Sequence, residues 1–382
     1  MRHIRQVIPY LKKADYFRRP KNVCKAVWNI LKRPEFVHYQ PEILKIETTN
    51  RCNLTCPFCY HTYAVAQDLK FQIKSVAHGN RQSLLHHNSK IGHHMSFNTF
   101  RYILDQFPML NRIDLQGIGE PLLNPDFINI LDYSSKRGIA SQFYTNGTLL
   151  GREIIHHLTT LNVSEITVSI DGATAETYEW FRAGSKFNKV TNNVYDLIEK
   201  RRFKSKLSPR VRLAMVATRY NVHEIYTLVD LGHELGVDSV IVTQLKSINP
   251  NVESMICEHD ILVDHIKAGM KRAKELGIHF MAEFDWQSAS LKTQSSQHNK
   301  RAKPTGSSYK ICIWPWFSLN VEVDGSVTPC AYTSSKENWQ LGNILTEGFE
   351  ATWNGPGYQS LRNRLKTGKT AGLPCHTCCD IV

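Results

Sequence analysis

The sequence has no run of 18 apolar residues, which excludes a helix that spans a membrane. It opens on basic residues, Met1-Arg2-His3-Ile4-Arg5, but no long apolar core or small-residue cleavage site follows. No secretory signal is therefore expected. Acidic residues are scarce: 34 stand against 47 Lys and Arg, a net charge of +13. Cysteines are few as well. Seven of the ten sit in compact arrays, which argues against a disulfide framework and for metal binding in a reducing, cytoplasmic setting. What is present in quantity is core material: 42% of the 382 residues are hydrophobic, enough for one large α/β unit and a smaller one.

The surplus charge is local. Residues 1–40 hold ten Lys and Arg against two acids, and residues 287–310 hold five against none. These two segments account for the whole excess. A nucleic-acid binder would carry a basic stripe on a folded element. A solvated arm and a basic linker are the preferred reading, so nucleic acid is not expected as a partner. An acidic partner fits better: a flavodoxin- or ferredoxin-type reductant, an anionic substrate, or a membrane surface met peripherally by 23–31.

Periodicity divides the chain. Residues 1–42 hold two short amphipathic stretches split by Pro20 and are expected to form a basic helical extension. From 43 to 285, strand-like runs at 43–48, 112–116, 141–144, 165–170, 210–217 and 239–244 alternate with helical patterns. Those patterns lie at 97–107, 125–136, 152–161, 190–202 and 222–235, with 261–276 after the last strand. Such alternation implies a parallel sheet wrapped by helices. A polar stretch at 286–310 reads as a linker, and 311–382 as short strands and turns.

The densest chemistry follows the first strand. Cys52, Cys56 and Cys59 form a C-x3-C-x2-C loop with Phe58 before the last thiol. Thiolates select iron–sulfur clusters, zinc or Cu(I). Three cysteines on a four-iron cubane leave one iron open to a further ligand. A zinc site would more often show two paired motifs.

This loop resembles the signature of the radical S-adenosylmethionine (SAM) superfamily. The resemblance implies a partial (β/α)6 barrel, a 4Fe-4S cluster on Cys52, Cys56 and Cys59, and SAM held on the open iron. Electron transfer would then split SAM into methionine and a 5′-deoxyadenosyl radical. The order of later motifs agrees. Gln116-Gly117-Ile118-Gly119-Glu120-Pro121 resembles the family's GGEP segment, one residue longer, and implies SAM contacts for Gly119 and Glu120. Asn146, Ser169 and Asp171 close the third and fourth strands and take the polar SAM contacts of relatives. Arg182, in Arg182-Ala183-Gly184, is a candidate carboxylate clamp, weighed equally against a surface salt bridge.

Behind the barrel, Cys312 and Cys330 flank an Asp324-Gly325 hairpin signal, and Cys375 and Cys378 form a C-x2-C, with Cys379 in reserve. By itself that set suits zinc or a cluster. Its order resembles the SPASM/twitch domains that follow radical SAM barrels and implies one auxiliary 4Fe-4S cluster. The sequence stops at Val382, four residues past Cys378, without the ligands of a second.

The long stretch 61–95 holds His78, His86, His87, His93 and His94 and falls outside the resemblance. Solvated polar histidines are preferred over a metal site there. Cys257, outside both arrays, is read as a buried thiol or, in an epimerase, as the donor of a hydrogen atom. The favoured function is oxidation or epimerisation of a small carbohydrate-like molecule. The alternatives are a peptide- or protein-modifying maturase and a zinc-stabilised binding module without enzymatic activity.

Overall fold

The computed structural model describes residues 25, 28, 30–67, 92–245, 250–283, 312–330, 339–370 and 372–373. The stretches expected at 7–17 and across most of 23–31, the linker at 286–310, and His78, His86 and His87 lie outside them.

Among the described residues the sheet has ten strands, and nine of them run in one direction. The sheet begins with β1 (Ile43–Ile46), β2 (Arg112–Leu115), β3 (Ala140–Thr145) and β4 (Val163–Ser169). It continues through β5 (Arg210–Ala217), β6 (Ser239–Gln244) and β7 (His279–Glu283). Neighbours from β1 to β7 are all parallel and in sequence order. The helices between them are α1 (Phe97–Asp105), α2 (Phe127–Lys136), α3 (Arg152–Leu158) and α4 (Ala175–Phe181). Then come α5 (Phe187–Phe203), α6 (Ile225–Leu235) and α7 (His259–Leu276). This is the partial barrel that the sequence implies, with a seventh strand, β7, and a short helix, α4, that it did not reveal.

Alternation along the strands sorts two faces. Ile113, Leu115, Ile166, Val168, Val211, Leu213 and Met215 are fully buried under the helices. Each is worth about 1.5–3 kcal/mol of transfer free energy. The residues between them, Arg112, Asp114, Glu165, Thr167 and Arg212, are polar and point the other way, into the lumen. α6 buries Ile225, Leu228, Val229 and Gly232, a helical stripe at spacings of three and four.

The C-terminal region joins the same sheet. After α8 (Trp314–Phe317), strand β8 (Ser318–Val321) pairs parallel with β1. A turn at Asp324-Gly325 leads to β9 (Ser326–Thr328), antiparallel to β8, and β10 (Gly342–Asn343) follows at the edge. Three helices, α9 (Ile344–Glu347), α10 (Phe349–Trp353) and α11 (Pro356–Lys366), close this end. Arg362 is fully buried at their centre. Its Nε donates to Pro315 O at 2.9 Å and its Nη1 to Glu35 O at 3.0 Å, while its guanidinium lies 4.4 Å from the Trp353 ring.

Candidate active site

Parallel strands deliver their loops to one face, the C-terminal ends of the strands. The cysteine loop leaves β1 there. Cys59 N donates to Cys56 O at 3.2 Å, and a helix over 60–67 starts with Tyr63 N on Cys59 O. Asn50 Oδ1 accepts Gly92 N and His93 N at 2.8 and 2.7 Å, and Thr49 Oγ1 donates to His93 O. The loop is thus fixed at its root by the chain segment that re-enters before α1. Thr55 N reaches Ala183 O on the far side.

The thiols of this loop lie near enough to act on one another. Burial pushes Cys52 up and Cys56 up to about 11, and the neighbouring thiols push in the same direction while Arg182 opposes them. Such thiols lose their protons when a metal binds them. Among the described residues no three His, Cys, Asp or Glu side chains converge on one ion. Three soft donors around a loop, each free to take a different iron, fit a cubane.

The segment after β2 packs directly on this loop. A Cβ at Gly119 would lie 2.5 Å from both Thr49 O and Arg51 O, so only glycine allows the approach. Glu120 is buried, and its carboxylate gathers Thr145 Oγ1 at 2.7 Å, Asn146 N at 2.6 Å and Leu122 N at 3.3 Å. Burial pushes it up to about 7 in spite of these donors. Asn146 Nδ2 donates to Asn53 Oδ1 at 2.9 Å, and Asn53 Nδ2 donates to Thr148 Oγ1 at 2.9 Å. Glu120 and Asn146 therefore brace the cysteine loop as well as facing the site.

Two residues singled out separately in the sequence meet here. Arg182 Nη2 pairs with Asp171 Oδ2 at 2.5 Å, with the carboxylate fully buried. The other oxygen, Oδ1, accepts Val216 N at 2.8 Å. The Arg182 guanidinium lies 5.6 Å from the Phe58 ring, which packs edge-on against Phe181. Burial opposes the charge on Arg182, but Asp171 and the thiols of Cys56 and Cys59 outweigh it and hold its pKa above the usual range. A surface salt bridge is excluded by this burial. Ser169 is half-buried beside Ala214 on β5.

Below the mouth, polar side chains of the strands pair with one another. Arg112 Nε pairs with Asp114 at 3.0 Å, and Arg212 Nη2 reaches Glu165 and Thr167, both at 2.9 Å. Lys45 Nζ lies 4.3 Å from the Trp314 ring. At the rim, Trp180 is about half exposed (53%), packs on Phe181 at 4.8 Å and reaches exposed Tyr220 at 5.9 Å. Cys257 is buried in the main hydrophobic core. It lines a cavity of about 170 Å³ with Arg219, Val222, Ile256, Glu258 and Ile261.

Of the auxiliary cysteines, Cys312 is buried just before α8 and Cys330 is half-buried just after β9, at the open end of their hairpin. Burial raises the pKa of Tyr358, and the Cys330 thiol adds to the rise. Cys375, Cys378 and Cys379 lie outside the described residues. Sequence reasoning passed over Asn53, Thr145 and Thr148. Asn53 stands directly after Cys52, and the other two flank Asn146, so position within the motifs was the available signal.

Residues 46–231 match the Radical SAM superfamily, and residues 312–379 match an iron-sulfur cluster-binding domain, SPASM. The tungsten-containing aldehyde ferredoxin oxidoreductase cofactor-modifying protein of Pyrococcus furiosus is 28% identical over 84% of this chain and 82% of its own length. The mycofactocin maturase MftC of Mycobacterium ulcerans is 24% identical over 66% of this chain and 64% of its own. The crystal structure of Streptococcus suis SuiB bound to precursor peptide SuiA shares the fold, with a TM-score of 0.64 and 15% identity over 90% of this chain and 71% of that one.

Proposed function

The chain belongs to the radical SAM superfamily, with a C-terminal SPASM iron–sulfur domain, and we propose that it modifies a peptide- or protein-borne substrate. From the sequence, a small carbohydrate-like molecule is the first expectation. The order is reversed here, and one observation carries the change. The lumen beneath the mouth is lined by side chains that pair with one another, Arg112 with Asp114, Arg212 with Glu165 and Lys45 with Trp314. A substrate therefore approaches from the rim, where Phe58, Phe181, Trp180 and Tyr220 form an aromatic path to the surface. A row of aromatic rings leading to the surface suits the side chains of a peptide segment better than a free sugar. Relatives named as a maturase and a cofactor-modifying protein, and a neighbour holding a precursor peptide, agree with this reading.

The cluster and SAM supply, when bound, reductive cleavage to methionine and a 5′-deoxyadenosyl radical that takes a substrate hydrogen. The residues of this chain position those parts. Cys52, Cys56 and Cys59 are the N-terminal ligands; Cys312, Cys330, Cys375 and Cys378 are proposed for the auxiliary cluster. An ionised carboxylate offers about four acceptor sites. Glu120 uses three on Thr145, Asn146 and Leu122, which leaves one for the SAM ammonium beside Gly119. Asp171 holds Arg182 against Phe58, leaving the rest of the guanidinium for a carboxylate. Asn146, whose amide is engaged with Asn53 and Thr148, would act by bracing the loop, and Ser169 is the proposed polar contact to SAM. If the reaction is an epimerisation, the buried Cys257, beside its own small cavity, is the proposed thiol for hydrogen return. A flavodoxin- or ferredoxin-type donor in the cytoplasm is the proposed reductant.

The test is anaerobic reconstitution followed by mass analysis of candidate peptides and sugars with SAM and reductant. Cys52→Ala is expected to abolish 5′-deoxyadenosine. Trp180→Ala is expected to raise KM for peptide about tenfold while SAM cleavage persists. Turnover of a sugar with no change in any peptide would sink the substrate assignment.

A further inference from the structure

We propose that Glu47 is a positioning residue that couples the SAM-binding loop to the C-terminal iron–sulfur unit. It stands between the end of β1 and the cysteine loop, almost fully buried. Its two carboxylate oxygens serve two distant segments. Oε1 accepts Ile118 N at 2.8 Å, inside the Gly117–Pro121 segment that carries Gly119 and Glu120. Oε2 accepts Val323 N at 3.3 Å, in the hairpin turn between β8 and β9. Its own N–H donates to Val321 O at 2.9 Å. A Cβ at Gly117 would sit 2.3 Å from Oε1 and from Cγ of Glu47, so that glycine makes room for the bridge.

Physical chemistry explains why glutamate is needed. Two part-buried N–H donors from different parts of the chain require two acceptors, and leaving either unmade costs a share of its desolvation penalty. A carboxylate supplies both from one side chain. Glutamine supplies one and turns an NH2 group toward the other donor. Burial pushes the pKa of that carboxylate up to about 7; the two N–H donors oppose the rise, and Glu322 and Asp324 add to it from the hairpin side. The position of Gly119 and Glu120 over the cysteine loop thus depends on where the hairpin between Cys312 and Cys330 sits. The inference rests on SAM binding alone and is independent of which substrate is modified.

The test uses the full chain, anaerobically reconstituted and without substrate. SAM is titrated against the electron paramagnetic resonance signal of the reduced N-terminal cluster. The variants are Glu47→Gln, Gly117→Ala and Val323→Pro, the last removing one donor from the hairpin side only. Each is expected to keep the iron and sulfide content of wild type, to bind SAM about tenfold to a hundredfold more weakly and to change the SAM-bound signal. Glu47→Gln combined with Val323→Pro should lose little more than either alone. Wild-type SAM affinity and signal in Val323→Pro, or losses that simply add, would overturn the coupling even if Glu47→Gln failed to fold. A peptide that remains unmodified while SAM binding behaves as described would count against the substrate reading and leave this one standing.

Discussion

At the scale of single residues, the site is held by side chains that serve each other before they serve a ligand. Asp171 and Arg182 are the sharpest case, a fully buried carboxylate against a guanidinium at 2.5 Å. Removing one partner leaves a buried charge without its counter-charge, which costs about 3–5 kcal/mol. Asp171→Asn is expected to lower the stability of the cluster-free chain by that amount in chemical denaturation. Arg182→Met should cost a similar amount, and the double variant much less than the sum. Additive losses would mean that the pair is not coupled. Both residues were singled out in the sequence, Asp171 at the close of the fourth strand and Arg182 at the start of Arg182-Ala183-Gly184. Their contact was not. It closes through α4, a seven-residue helix whose inward side is only Tyr178 and Phe181. A helix that short gives little periodicity to read.

At the scale of elements, the strands β1 to β6 were readable because buried parallel strands alternate with amphipathic helices, and β5 and β6 end where the pattern ends. β7 was not, since His279 and Glu283 bound a half-buried edge strand of five residues. The pairing of β8 with β1 was also hidden, because nothing local in either strand names so distant a partner. What holds that distant end together is Arg362, buried among Pro315 O, Glu35 O and the rings of Trp353 and Tyr358. Burial pushes its pKa down to about 10, so it remains charged at neutral pH. Arg362→Leu keeps the bulk but strands two carbonyls and removes a cation from two aromatic faces. The expected loss is about 3 kcal/mol, read as a lower midpoint of thermal unfolding. An unchanged midpoint would show that packing alone holds α11 in place.

At the scale of the whole molecule, both cluster-binding regions are built on one sheet, with order β10-β9-β8-β1-β2-β3-β4-β5-β6-β7. The strand that carries the SAM cluster loop is therefore an interior strand, flanked by β2 on one side and β8 on the other. A chain cut after residue 285 would turn β1 into an open edge beside unfilled apolar surface, the kind of edge that recruits other chains. That fragment is expected to aggregate in size-exclusion chromatography under conditions where the full chain does not. Adding a separate 311–382 peptide should reduce the effect. A monodisperse fragment that loads its own cluster would refute this.

The seating of β8 against β1 also sets a timetable for biosynthesis. β1 and the cysteines leave the ribosome first, but the neighbour that completes their side of the sheet is translated near the end. At about 5–20 residues per second the nascent chain waits on the order of ten seconds or more with that flank unsealed. Cys52 and Cys59 remain half-exposed in the finished fold, so completing the sheet does not by itself close the cysteine loop to cluster loading.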